Sequence, residues 1–284
     1  MSYVITAASG QLGRLTVQEL LRRGVAPDQV VAGARNPDAI TDLAARGVRT
    51  ARIDYDEPAT VEAALSPGDT LVLISGNDLA HRDRQHADVI AAAARAGAGH
   101  LVYTSGLHAA DSPSPIAASH VVTEDAVRAS GLPFTILRMG WYTENYAGTL
   151  PGVAASGVLL SSVGEGRVAS ATRQDLAEAI AVVLTTEGHT DRTYELSGDT
   201  AWDYDQLAAA MAEVLGRDVT HQSVSTDQHI QALTDAGLPA AVAQMIAGAD
   251  AGIAAGAFAF TDGDLNRLLA RPTTSLVDGL RPLL

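Results

Sequence analysis

The stretch that most constrains this chain is its start, Tyr3-Val-Ile-Thr-Ala-Ala-Ser-Gly-Gln-Leu-Gly13. An apolar strand enters a turn of small residues, and Leu15, Val17, Leu20 and Leu21 then mark one face of a helix. Such a unit aims the free N–H groups of the helix's first turn at one point and keeps side chains out of the space around it. That is where α/β proteins lay the diphosphate of a dinucleotide. A second strand, Val30-Val-Ala-Gly-Ala-Arg35, ends in an arginine 22 residues beyond Gly13. An acid at that distance suits the ribose of NAD, whereas arginine suits the 2′-phosphate of NADP. A glycine turn alone also arises for backbone reasons. Its place between strand and helix, with a charge at the right distance, predicts a site for NADP(H). Ala7 stands where the first glycine of a G-x-x-G-x-x-G turn is usual.

The same alternation continues. Strands are predicted at 3–8, 30–35, 49–54, 70–75, 100–105 and 133–138, and helices at 12–23, 38–46, 58–65, 82–97 and 116–130. Short apolar runs between helical patterns mean strands covered on both faces, hence a parallel sheet. Gly24, Gly47, Gly97 and Gly131 each follow a helix as stop residues. After residue 140 the rhythm changes to a loop and short helix, then a helix over 168–186 with Thr172 as a candidate N-cap. A strand over 193–198 and a mainly helical remainder with a short strand near 219–224 complete the chain. The expected fold class is α/β. It is a doubly wound Rossmann-type parallel sheet of six or seven strands with a smaller, mainly helical C-terminal lobe. The expected nucleotide-binding domain is 1–140 plus about 166–198, and the substrate lobe is about 141–165 plus 199–284.

Composition narrows the chemistry. The 284 residues contain no cysteine and no lysine, so thiolate–metal sites, cysteine nucleophiles and Schiff bases are excluded. No histidine spacing suggests a metal. The net charge of −14 argues against nucleic acid and anionic lipid as partners. The longest uncharged stretch, 145–164, contains Pro151 and several glycines and is no membrane span. The chain opens on a strand rather than a secretory signal, and the lack of cysteine fits a reducing cytoplasm.

In an open parallel sheet, ligands bind beyond the carboxyl ends of the strands. Those ends supply Ala7, Ser9, Gly10, Arg35, Tyr55, Ser75, Gly76, Thr104, Ser105, Met139, Gly140, Trp141 and Tyr142. Tyr55 either borders the adenine or packs locally. The paired acids Asp54 and Asp56 are expected to cap a turn. Trp141, Tyr142 and Tyr146 are three aromatics within six residues of a chain only 4% aromatic. They form either a stacking wall for a flat substrate or aromatic core. His120 lies on the helix that carries the Tyr-x-x-x-Lys pair in short-chain dehydrogenases, a pair this chain cannot form. It either reaches the nicotinamide ribose or serves as a proton donor, or else is a helix histidine capping a carbonyl.

These residues carry a resemblance. Ile5-Thr-Ala-Ala-Ser-Gly-Gln-Leu-Gly13, Ala34-Arg-Asn-Pro37, Asp54-Tyr55, Leu73-Ile-Ser75, Tyr103-Thr-Ser105, Leu137-Arg-Met-Gly-Trp-Tyr-Thr-Glu-Asn-Tyr146, Ala169-Ser-Ala-Thr-Arg173, Tyr194-Glu-Leu-Ser-Gly-Asp199 and Pro272-Thr-Thr274 resemble the NmrA-like atypical short-chain dehydrogenases. Within that family they are most similar to the bacterial type 2 NAD(P)H:quinone oxidoreductases. The resemblance implies NADPH-dependent two-electron reduction of quinones to hydroquinones. It implies Gly10, Gln11 and Leu12 at the diphosphate, Arg35 at the 2′-phosphate and Gly140–Tyr142 at the nicotinamide end. Arg173 joins the cofactor contacts, and Asn145 and Tyr146 join Trp141 and Tyr142 at the substrate. His120 stands where related reductases carry a catalytic lysine. Met139 replaces an asparagine expected before Gly-Trp-Tyr. Quinone reduction asks mainly for proximity and orientation, which suits a chain with no elaborate acid–base apparatus. A non-catalytic NADP(H)-binding redox sensor and a reductase of another flat conjugated substrate are the alternatives. A homodimer is the one protein partner this reading admits.

Overall fold

A computed structural model describes residues 1–114 and 116–284. Its strands are β1 (Tyr3–Ile5), β2 (Val30–Ala34), β3 (Arg49–Arg52), β4 (Thr70–Leu73), β5 (His100–Gly106), β6 (Phe134–Met139), β7 (Val158–Ser161), β8 (Arg192–Leu196) and β9 (Thr220–Ser223). The α-helices are α1 (Gln11–Arg22), α2 (Thr41–Ala44), α3 (Pro58–Ala64), α4 (Arg82–Arg95), α5 (Ala117–Ala129), α6 (Leu150–Ser156), α7 (Arg173–Thr185), α8 (Tyr204–Leu215), α9 (Thr226–Asp235), α10 (Ala240–Ala254), α11 (Asp264–Leu269) and α12 (Leu276–Leu280). The chain divides into two compact units. The first holds Met1–Ala110, Ile116–Met139 and Arg173–Glu195. The second holds 111–114, Gly140–Thr172 and Leu196–Leu284.

In the first unit the sheet order is β3-β2-β1-β4-β5-β6-β8. Tyr3 pairs in parallel with Val30 on one side and Thr70 on the other. The order reverses between β1 and β4, which opens a crevice beyond their carboxyl ends. Val4, Leu71, Leu73, Leu101, Tyr103 and Ile136 pack in one cluster with Val61 of α3, Val89 and Ile90 of α4 and Val127 of α5. Strand side chains alternate, so the equally buried Ile5, Val72, Val102 and Leu137 face the opposite layer. There α1 packs on α7, and Gln174 donates to Glu19 at 2.6 Å. Helix α7 begins at Arg173 rather than 168, because residues 168–171 are extended and bridge Trp202 and Tyr142. Gly24, Gly47, Gly97 and Gly131 all adopt left-handed backbone after their helices.

The second unit is helical around a two-stranded parallel sheet of β7 and β9. The strand near 219–224 is present, but its partner β7 went unpredicted. Tyr146, Leu150, Leu159, Val163, Trp202, Tyr204, Leu207, Met211 and Ile253 form the core. Reciprocal side-chain caps start two of its helices, Asp203 with Gln206 for α8 and Ser225 with Gln228 for α9.

Candidate active site

The turn after β1 forms a cradle. Ala7 takes a left-handed φ of 49°, a conformation that costs an L-residue about 1–2 kcal/mol and that glycine adopts freely. The Ala7 carbonyl accepts from Gly10 N–H at 2.9 Å. A Cβ on Gly13 would lie 2.5 Å from that carbonyl oxygen, so only glycine lets α1 approach so closely. Gly10 is the N-cap of α1. No side chain caps this helix and no acid lies in its first turn. Ser9, Gly10 and Gln11 are exposed, while Leu12 is buried and anchors the helix. At the end of β2, Arg35 is exposed and makes no hydrogen bond or ion pair among the described residues. Arg14 of α1 pairs with Asp42 of α2 and donates to the Ala39 carbonyl at 2.9 Å. An uncapped helix start over a glycine cradle, and an unpaired guanidinium, fit a dinucleotide bearing an extra phosphate.

The other strand ends in this unit are occupied differently. The Tyr55 hydroxyl lies 2.5 Å from Thr6 Oγ1 and 2.7 Å from the Ile74 carbonyl. Burial pushes its phenol well above the usual value. Tyr55 therefore braces the ends of β1 and β4, with its ring under Gly76. Ser75 N–H donates to Thr104 Oγ1 at 2.9 Å, and Thr104 is fully buried. Ser105 Oγ donates to Glu124 Oε1 at 2.6 Å. The Thr104 and Ser105 hydroxyls are thus engaged within the unit, where they shape the edge of the sheet. Asp54 accepts from Asp56 N–H at 3.1 Å, as a turn cap. Met139 is buried, and Arg173 opens α7.

His120 is buried, with both ring nitrogens engaged. Nε2 lies 3.4 Å from Arg82 Nη1, and Nδ1 lies 2.8 Å from the Tyr103 hydroxyl. A guanidinium can only donate, so Nε2 accepts and the ring proton sits on Nδ1. Burial and the Arg82 charge lower the His120 pKa to about 4. Next to it, His86 Nε2 accepts from Gly76 N–H at 3.1 Å, and burial with the Arg82 charge lowers its pKa to about 3. Both imidazoles are neutral near pH 7. A neutral imidazole with both nitrogens engaged counts against His120 as the proton donor. Sequence reading missed Arg82 altogether, because a charged residue in the first turn of a helix reads as a solvated face.

In the second unit Gly140 donates to the Leu196 carbonyl at 2.9 Å, and Tyr142 bridges to Ala171. Trp141 and Tyr142 are half-buried, and Asn145 is exposed. Tyr146 is not part of an open wall. It is 5% exposed, its ring lies 5.6 Å from Trp202, and its hydroxyl lies 3.2 Å from that of Tyr204. It belongs to the lobe's aromatic core, and of the three only Trp141, which packs on Phe258 with ring centroids 5.0 Å apart, and Tyr142 keep part of their surface accessible.

The cradle lies within a recognised family signature. The model of an NAD(P)H-binding family matches residues 7–187. The chain belongs to this NAD(P)H-binding family. Three relatives give it detail. Quinone oxidoreductase 2 of Escherichia coli K12 is 40% identical over 98% of this chain and 97% of its own. The crystal structure of that NADPH-dependent quinone oxidoreductase with NADPH covers 99% of both chains at a TM-score of 0.94. The Citrobacter sp. triphenylmethane reductase complexed with NADP(H) is 36% identical, covers 100% of both chains and gives a TM-score of 0.95. An NmrA-like family domain-containing oxidoreductase of Aspergillus flavus is 30% identical over 82% of this chain and 77% of its own.

Proposed function

We infer that the chain is an NADPH-dependent quinone oxidoreductase. The observation that carries this is the likeness, over nearly the whole of both chains, to the E. coli enzyme of that activity. When bound, NADPH supplies the hydride. In this reading Gly10, Gln11 and Leu12 hold the diphosphate against the first turn of α1, and Arg35 takes the 2′-phosphate. Trp141 and Tyr142 offer a flat apolar surface to the quinone, with Asn145 beside them. His120 keeps no spare proton near neutrality, so the product oxygen takes its proton from water. His120 instead holds Tyr103 and Arg82 in place. A cytoplasmic location goes with this reading, because a nicotinamide coenzyme is an intracellular reductant, and a homodimer is the assembly it allows. No helix among the described residues is long and apolar enough to cross a membrane.

The likeness to triphenylmethane reductase favours a second reading, reduction of another flat conjugated acceptor. Steady-state NADPH oxidation with menadione, benzoquinone and a triphenylmethane dye separates the two. Quinones should give the highest kcat/KM. A dye reduced faster than either quinone would assign the protein to the second class.

A further inference from the structure

Arg82 is 5% exposed and no carboxylate lies within ion-pair distance among the described residues. Its neighbour Asp83 accepts from Ser119, and the nearest buried acid on α5, Glu124, is taken by Arg138, Arg128 and Ser105. The guanidinium is anchored instead to neutral groups. Nε donates to the Gly76 carbonyl at 2.9 Å, and Nη1 points to His120 Nε2. Nη2 has no hydrogen-bond partner among the described residues, yet it is not among the polar atoms sealed from solvent. Gly76 follows β4 and Gly106 ends β5. A Cβ on Gly106 would meet the His120 ring at 2.9 Å, so Arg82 and His120 stand at the carboxyl ends of both strands. A buried cation without a counter-ion is costly to keep, and an incoming negative oxygen relieves that cost.

We propose that Arg82 is a catalytic residue whose Nη2 hydrogen-bonds the acceptor oxygen that becomes negative during reduction. The proposal rests on the quinone-reductase reading. A quinone that gains a hydride becomes a hydroquinone monoanion. Its former carbonyl oxygen holds the charge until water delivers the balancing proton. A fixed guanidinium in a poorly solvated site stabilises that oxygen more in the transition state than in the neutral quinone. His120 is the positioning residue: its lone pair orients Nη1, and Tyr103 orients the ring. The same charge discriminates against cationic acceptors, so neutral quinones are preferred over cationic dyes.

Arg82→Gln and Arg82→Lys test this in the full-length protein. Arg82→Gln should lower kcat for menadione by about 10²- to 10³-fold, the loss typical of removing one oxyanion donor. The dissociation constant for NADPH should stay within a factor of about two to three, well below the tenfold that 1.4 kcal/mol represents. Arg82→Lys should recover part of the rate. A readout independent of turnover is 4-nitrophenol, whose phenolate is yellow. The wild-type protein with NADP⁺ should bind the phenolate and lower its apparent pKa, and Arg82→Gln should not. An unchanged kcat with an unchanged nitrophenol spectrum would overturn the proposal. So would a weakened NADPH affinity with intact kcat, which would assign Arg82 to a cofactor phosphate. Should the wild type itself fail to reduce quinones, the functional reading falls, and the nitrophenol shift still decides whether Arg82 is an oxyanion site.

Discussion

Arg35 stands at the end of β2 with no hydrogen-bond or ion-pair partner among the described residues, which leaves its guanidinium available to a ligand. Charge-assisted hydrogen bonds are worth about 1.5–3 kcal/mol, or roughly ten- to a hundredfold in affinity. Arg35→Ala should therefore weaken NADPH by that factor in a fluorescence titration while leaving NADH nearly unchanged. Equal losses for both would remove Arg35 from the 2′-phosphate. The buried histidines set a pH dependence. His120 titrates near 4 and His86 near 3, against 6.5 for a free imidazole. Below 6.5 the unfolded chain takes up protons that the folded chain refuses, so stability is complete above that pH and declines as pH falls toward 4. Two such groups give a slope of up to about 2.7 kcal/mol per pH unit. Denaturant unfolding between pH 7 and 4 should show it, and His120→Asn should remove about one proton from the slope. At this scale Arg35 was legible from its distance to Gly13. Arg82 was not, because only the fold reveals that no carboxylate among the described residues lies within ion-pair distance of it.

Two elements carry most of the architecture of the site. The β1–α1 turn depends on Gly13, where an added Cβ meets backbone atoms of Ala7 and Ala8 below 3 Å. Backbone cannot move as a flexible side chain can. Gly13→Ala should cost about 1–3 kcal/mol of stability, the usual cost of overpacking, and should weaken NADPH at the same time. A calorimetric scan with and without the coenzyme reads both. The ends of β5, β6 and β8 are tied through Glu124 on α5. Burial alone would raise its pKa. The hydrogen bonds from Arg138, Ser105 and Arg128, with the charge of Arg138, hold it below the ordinary carboxylate range. Arg138 donates to both Glu124 oxygens at 2.7 Å and to Glu195 at 2.7 Å. Removing one partner of a buried ion pair costs about 3–5 kcal/mol, so Glu124→Ala should lower Tm more than any substitution in the exposed turn around Ser9. Ser105 was expected at the cofactor because it ends a strand. Pattern alone could not show that its hydroxyl faces α5. Likewise β7 was missed because Val158–Ser161 is a four-residue apolar run whose partner lies some sixty residues on, whereas each strand of the main sheet is flanked by a readable helix.

For the molecule as a whole, the first unit was readable because apolar runs, helix-stop glycines and a parallel sheet covered on both faces all point to one fold. The second unit was readable only as mainly helical. Its aromatic cluster could be core or wall from sequence, and packing decided for core at Tyr146. The net charge of −14 means that the phosphate-rich coenzyme is held by local geometry, through the α1 amides and Arg35, rather than by a general field. Coenzyme binding should accordingly stabilise the folded chain. Saturation at about 100 times Kd adds about 2.7 kcal/mol, with NADPH reaching it at lower concentration than NADH. Equal midpoints for the two coenzymes would count against the NADP preference. The most direct measurement is stopped-flow oxidation of NADPH by menadione in the presence of the protein. Saturable oxidation well above the rate in buffer is expected, with one hydroquinone formed per NADPH consumed. A rate indistinguishable from free solution, with coenzyme demonstrably bound, would contradict it and leave a protein that binds the coenzyme without using it.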